Sequence, residues 1–336
     1  MSPFRRTTLP TRVLATLLLS SVALAACAGA PESDASAAAA SDHYPVTVEN
    51  CGVQITYDAA PSRAVSIFQG ATEVMLSLGL QDHMIGTTGL DDAVADRWKE
   101  PYDAIDVLGD GALSREELLK HESDFAYASY ISAFDADKAG DRDELKDLGV
   151  ASYVSESSCI ERKDQTPASF DKIWKEVGDI ATIFDAEKAA RSYIADEKKR
   201  IADISAEQAG EGLTVFWYDS ETKSPYTGAG TGAPQLIIET VGATNAFADV
   251  KGTWDYVPWE DVVDADPDVI VLADAEWSTA KEKIDFLRKD PALSRLTAVR
   301  SGAFVTLPFS ETTPGVRVVD GAQHMSEQLE ALDLDR

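Results

Sequence analysis

The side chains best suited to chemistry are few and scattered. Cys appears at Cys27, Cys51 and Cys159, and His at His43, His83, His121 and His324. No His has the i, i+4 partner that would hold a metal on one helix face, so all four read as surface residues, and metal or haem ligation is not expected. No G-x-S-x-G elbow, G-x-x-x-x-G-K-[ST] loop or H-E-x-x-H pair occurs, so no catalytic residue and no resident cofactor is expected. A metal-dependent hydrolase could use clustered acids such as Asp91, Asp92 and Asp96, but in a chain with 58 Asp and Glu a solvated surface explains them more simply. A nitrogenase-like cluster protein would need more Cys ligands. In TGAGTG, Gly228, Gly230 and Gly232 miss the G-x-G-x-x-G spacing of a dinucleotide site. That stretch reads as backbone closely approached by a ligand or by the other half of the molecule, or as a plain turn.

The aromatic residues say more. Phe68, Tyr130, Trp217, Tyr218, Trp254, Trp277 and Phe309 each fall at or just past the carboxyl end of a candidate strand, or in a loop beside one. Such a set suits a large planar or amphipathic ligand through stacking and area burial, although any one of them fits a core equally well. Arg317, in the loop TTPGVR, adds a fork-shaped cation in a strongly acidic chain. It either holds a carboxylate or phosphate of the ligand or closes a structural ion pair.

The elements that must position these residues are short apolar runs alternating with helical periods. Candidate strands are Arg63 to Phe68, Met84 to Thr88, Phe125 to Ser129, Ala151 to Val154, Leu213 to Tyr218, Val269 to Ala273 and Phe304 to Leu307. They are apolar nearly throughout, as strands covered on both faces must be. Segments such as Ala71 to Leu78 and Ser114 to His121 carry helical spacing. The expected fold is α/β: two doubly wound, mainly parallel-sheet lobes joined by a single long α-helix. EELLKHESDFAYA from Glu116 aligns without gaps with EDVVDADPDVIVL from Glu260, a weak echo of two similar lobes. Helical spacing runs from about Ala168 to Ser205, nudged into two stretches at Asp185, with Pro167 suiting a helix start. The crevice between the lobes, outside the carboxyl ends of the strands, is the natural ligand site.

Composition sets the outer bounds. The chain has 336 residues, 44% hydrophobic and 26% charged, with net charge −28. Such a charge makes nucleic acid a poor candidate partner, since an acidic chain cannot displace the condensed counterions whose release drives that binding. The length suits about two domains. Three Arg precede the apolar run from Val13 to Ala26, which is too short for a membrane span of about 20 residues and reads as a secretory signal. Leu24-Ala25-Ala26-Cys27 resembles a lipobox, which implies acylation at Cys27. The expected organisation is a signal peptide at 1–26, a lipid-anchored tether at 27–43, an N-terminal lobe at 44–166, a connecting helix at 167–185 and a C-terminal lobe at 186–336. In an oxidising compartment Cys51 and Cys159 are left to pair or to stay as buried thiols.

Two groups of residues carry a family resemblance. In the first half they are APSRAVSI from Ala60, GATE from Gly70, LGLQD from Leu78 and Ile85-Gly86. In the second half they are QLIIETVGATN from Gln235, Trp259-Glu260-Asp261-Val262 and DPDVI from Asp266. The mature chain resembles the substrate-binding lipoproteins of ABC importers that handle ferric siderophores, haem and cobalamin. YPVTVENCG, GDRDELKDLGVASYVSESSC and PYTGAGTGAPQ look closest to an actinobacterial branch assigned to a deazaflavin cofactor precursor, a phosphate-bearing molecule. The resemblance implies a monomer at the outer face of the cell membrane that captures a small-molecule ligand and passes it to an ABC permease and its ATPase. It also implies one docking Glu per lobe for the permease, carried by motif position onto Glu73 and Glu239.

Overall fold

Residues 42–159 and 166–332 are described by the computed structural model. The signal segment, Cys27 and nearly all of the tether lie outside them. The described chain opens with a hairpin, β1 (Val46–Asn50) paired antiparallel with β2 (Val53–Tyr57) about a turn in which Cys51 and Gly52 both have positive φ. Val48 and Ile55 point inward between exposed neighbours, so only one face is buried.

The first sheet takes the apolar runs. β3 (Ala64–Ile67), β4 (Met84–Thr88), β5 (Val107–Gly109), β6 (Phe125–Ala128) and β7 (Ala151–Val154) are all parallel, in the order β5-β4-β3-β6-β7. Every residue of β3 and β6 is buried, as a sheet covered on both faces requires. α1 (Gln69–Ser77), α2 (Lys99–Tyr102), α3 (Arg115–Lys120) and α4 (Arg142–Asp147) connect the strands. α3 opens on a reciprocal capping box between Ser114 and Glu117, and Asp141 caps α4. Cys51 and Cys159 are joined, with Cα atoms 5.0 Å apart, so the hairpin turn is stapled to the segment after β7.

α5 (Phe170–Ile183) and α6 (Glu187–Glu207) follow. The expected single connecting helix is therefore a helix pair. Asp185 has φ 56°, a left-handed conformation that Asp tolerates better than most residues, and it interrupts the helical hydrogen-bond ladder. Pro167 starts no helix; Ser169 does, its Oγ accepting from Lys172 N. α5 belongs to the first lobe, where Ser155 and Tyr127 donate to its buried Glu176. α6 belongs to the second, through Arg200 and Glu207.

The second sheet contains β8 (Thr214–Ser220), β9 (Tyr226–Gly228), β10 (Thr244–Asn245), β11 (Trp254–Tyr256), β12 (Val269–Asp274) and β13 (Phe304–Pro308). Its order is β11-β9-β8-β12-β13, with β10 also on β8. β8, β10, β12 and β13 are parallel, whereas β9 runs antiparallel to both its neighbours, β8 and β11. α7 (Ala233–Thr240), α8 (Trp259–Ala265), α9 (Ala280–Lys289), α10 (Thr297–Ser301) and α11 (Val318–Ala331) complete the lobe. Among the described residues no helix is long and apolar enough to cross a membrane.

Candidate functional site

The carboxyl ends of the strands face a cleft of 820 Å³. The first lobe contributes Ser129, Tyr130, Ile131, Ser132 and Asp135 after β6, and Ser157 and Ser158 after β7. The second contributes Asp219 and Ser220 at the end of β8, Tyr226 on β9, Trp254 and Tyr256 on β11, Trp277 after β12, and Phe309 and Thr313 after β13. Trp277 and Tyr256 keep 59% and 58% of their surface exposed, which leaves broad aromatic faces for a ligand. Trp277 stands edge-on to Phe309, with centroids 4.9 Å apart, and Tyr226 lies beside Tyr256 at the same separation. The described lining residues include two carboxylates, Asp135 and Asp219, and no basic side chain.

Four of the seven expected aromatics therefore meet at the cleft: Tyr130, Trp254, Trp277 and Phe309. Phe68 sits one layer behind them, edge-on to Tyr130 at 5.3 Å. Its φ of 72° is a conformation rarely adopted by bulky residues, held where β3 turns sharply into α1. Trp217 and Tyr218 are corrections. They are 0% and 1% exposed and lie in the core of the second lobe, because β8 continues to Ser220 and brings Asp219 and Ser220 to the mouth instead. In the glycine loop, a Cβ on Gly228 would lie 2.3 Å from Pro234 and one on Gly230 would strike the Ala248 carbonyl, so at these two residues the close approach comes from the same lobe, while Thr231 O accepts from Ala168 N at the entrance to α5. Tyr226 and Tyr256 were missed. The i, i+2 spacing of Trp254 and Tyr256 puts both on one face of a strand, and that was the available signal.

Arg317 does not face this cleft. It is buried at the start of α11, with Nη1 3.0 Å from Glu73 Oε1, Nη2 2.5 Å from Glu311 Oε1 and Nε 2.9 Å from Asp320 Oδ2. Of the two readings open for it, the structural ion pair is the one formed. A second cavity of 980 Å³ lies along this network, walled by Asp92, Asp96, Arg97, Arg200, Glu311, Asp320 and His324 among others. Its walls are paired charges: Arg97 and Arg200 both bind Asp320, and His324 lies 2.7 Å from Glu311. Asp92 Oδ1 is buried without a partner, but most of its charges are already paired with one another, and it is a poorer ligand site than the aromatic cleft. Asp92 is not simply solvated either, since its Oδ2 accepts from Ser310 N of the other lobe. Burial, and then Asp92, push Asp91 up to about 6.

The docking pair changes as well. Glu73 on α1 is 0% exposed and bridges the lobes to Arg317, so it is unavailable to a permease. Burial outweighs Arg317 and raises Glu73 from 4.5 to about 7. Glu239, in the last turn of α7, is exposed and accepts from Gln235. None of the four His is buried, His324 being exposed and the others half-buried, but three of them are engaged. His43 Nε2 lies 2.7 Å from the Thr182 carbonyl and His83 Nδ1 2.7 Å from that of Pro61, while His324 is engaged with Glu311.

Two α/β lobes facing each other across an aromatic cleft at their strand ends define a two-lobed solute-binding protein. The comparisons agree: the family described as periplasmic binding protein matches residues 65–311, and the chain belongs to it. The chain is 26% identical over 327 residues, 94% of its own length and 96% of the relative's, to the uncharacterized ABC transporter substrate-binding lipoprotein YvrC of Bacillus subtilis. It is similar to a periplasmic binding protein from Veillonella parvula (28% identity, TM-score 0.74, covering 85% of this chain and 97% of that one). A protein of an ABC-type Fe3+-hydroxamate transport system from Saccharomonospora viridis shares the fold (23% identity, TM-score 0.70, 85% and 99%).

Proposed function

We propose that this chain is the extracytoplasmic solute-binding component of an ABC importer, anchored by acylation at Cys27, and that it takes an uncharged or cationic metal chelate or corrinoid between its lobes. The observation that carries the ligand class is the lining of the cleft: six aromatic rings, two carboxylates and no base among its described residues. Aromatic faces favour a large amphipathic ligand; Asp135 is already paired with Lys138 at 3.3 Å, so the preference for positive over negative charge rests mainly on the lining's lack of a base. Haem and a phosphorylated deazaflavin precursor, both anionic, suit it less, because the Arg317 fork is already filled by acids. A ferric hydroxamate of positive charge, or cobalamin, suits it better.

Docking on the permease needs an exposed acid at equivalent places on both lobes. Glu116 and Glu260, which the internal echo aligns, meet that need. Both are exposed in the first turns of α3 and α8. Each helix runs back to the start of the following strand, so these turns stand at the edge on which the cleft opens. Glu239 remains exposed but has lost its partner in the pair, Glu73.

The test is a Trp fluorescence titration of Asp42–Arg336 against a cationic ferric hydroxamate, cobalamin, an anionic ferric catecholate, haem and a phosphorylated deazaflavin. Saturable quenching is expected from the first two. Trp277→Phe should remove most of the signal, Trp217→Phe should leave it, and Tyr130→Ala should weaken binding about tenfold, or ~1.4 kcal/mol. Glu116→Ala and Glu260→Ala should leave the titration unchanged while lowering uptake by cells. Preferential binding of the anionic ligands, or quenching indifferent to Trp277, would overturn the assignment.

A further inference from the structure

A cluster far from the cleft has a composition the transport reading does not use. His43 follows directly on the start of the described chain, Asp185 occupies the break between α5 and α6, and Glu187 is the first residue of α6. One ligand-type atom from each lies within 4.8 Å of both others. His43 Nδ1 is 3.6 Å from Asp185 Oδ1 and 3.4 Å from Glu187 Oε1. We propose that these three side chains form a site for a divalent cation of the zinc class.

Three observations support the site. The first is spacing. Zinc bonds of about 2.0–2.1 Å at the tetrahedral angle hold neighbouring ligand atoms about 3.3 Å apart, close to the two separations seen from Nδ1. The second is the tautomer. His43 Nε2 lies 2.7 Å from the Thr182 carbonyl oxygen, which can only accept, so that nitrogen carries the proton. The other ring nitrogen, Nδ1, is turned toward two carboxylate oxygens. Such a convergence of acceptors calls for a cation between them, and the bond from the far ring nitrogen to a carbonyl is the arrangement that orients metal-bound imidazoles.

The third is access. Tyr44, edge-on to His43 at 4.7 Å and donating its hydroxyl to Ile183 O, closes the inner side of the site. The His43 side chain is 16% exposed but those of Asp185 and Glu187 are 48% and 36% exposed, so an ion can reach the site and water can complete its coordination. Left-handed Asp185 turns its carboxylate toward the same point as the first residue of the next helix. An ion held there would pin the residue where the tether meets the folded chain to the break between the lobes' helices. The competing occupant is a proton on Nδ1, which would make the ring an imidazolium.

The test uses the purified full chain, stripped with chelator and titrated with Zn2+ alone by calorimetry, with Co2+ as a second probe. One equivalent of Zn2+ should bind, Co2+ should develop the visible absorption of a low-symmetry site, and Zn2+ should raise the melting temperature. Affinity should fall at least about tenfold in His43→Gln, Asp185→Asn and Glu187→Gln. Asn tolerates the left-handed backbone, and the last two variants keep the His43–Thr182 bond, so they carry the test if His43→Gln folds poorly. Absence of saturable Zn2+ binding would show the imidazolium to be the occupant and overturn the proposal. One-equivalent binding undiminished in Asp185→Asn and Glu187→Gln would place the ion elsewhere and overturn it as well.

Discussion

Glu73 shows what a buried charge costs when its partner comes from the other lobe. Its Oε1 accepts from Gln69 and from Ala95 N and faces Arg317, yet burial makes the carboxylate less favoured than it is in water. A carboxyl raised from 4.5 to about 7 on folding binds its proton more tightly in the native state. Its contribution to stability is therefore fully present below pH 4.5 and is lost as pH rises toward 7. Compared with Glu73→Gln, which mimics the protonated acid, the wild type should lose up to about 3 kcal/mol across that window, measured by urea unfolding at successive pH values. Taking the difference between the two proteins cancels the titration of Glu176, which is also raised to about 7 by its burial. Arg317→Ala should cost about 3–5 kcal/mol at neutral pH, because it strands Glu73 and Glu311 inside the protein.

At the level of elements, the staple between the hairpin and the end of the first sheet is the connection most open to measurement. Cys51 and Cys159 are 108 residues apart in sequence, and closing so long a loop removes much of the freedom of the unfolded chain. Replacing both by Ser should lower stability by about 2–4 kcal/mol, seen as an earlier urea midpoint, while leaving cleft binding intact. The hairpin itself was not legible, because Val46 to Tyr57 alternates in burial and the strands read from sequence were those apolar on both faces. Six of the seven strands read from sequence are buried nearly throughout and were legible for the same reason in reverse, whereas β13 alternates in burial and was legible from its apolar run alone. Trp217 shows how two residues of strand length decide between core and site: β8 continues past Tyr218 to Ser220, and two aromatics move from the mouth to the interior. Arg317 could not be assigned from sequence, because its partner Glu73 lies 244 residues away and only the docking of the lobes brings them together.

For the whole molecule, the question is how far the lobes move. They are joined by a helix pair broken only around Asp185, and the polar contacts that already span them include these three: Glu73 with Arg317, Arg97 with Asp320 at 2.8 Å, and Ser310 N with Asp92 at 3.0 Å. A ligand can shift an open-closed equilibrium only by its differential affinity for the two states, and a molecule already closed leaves it little to shift. The aromatic cleft is meanwhile open to solvent at Trp277 and Tyr256, so a ligand can enter without prior separation of the lobes. Small-angle scattering of Asp42–Arg336 should therefore give a radius of gyration near 19 Å, the value for a compact chain of this length, with no resolvable contraction when ligand saturates the cleft. Arg317→Ala, which removes the most buried of the three contacts, should enlarge the ligand-free radius and restore a contraction on binding. A wild-type contraction as large as that of the variant would mean that these bridges do not hold the lobes together in solution, and that closure accompanies capture.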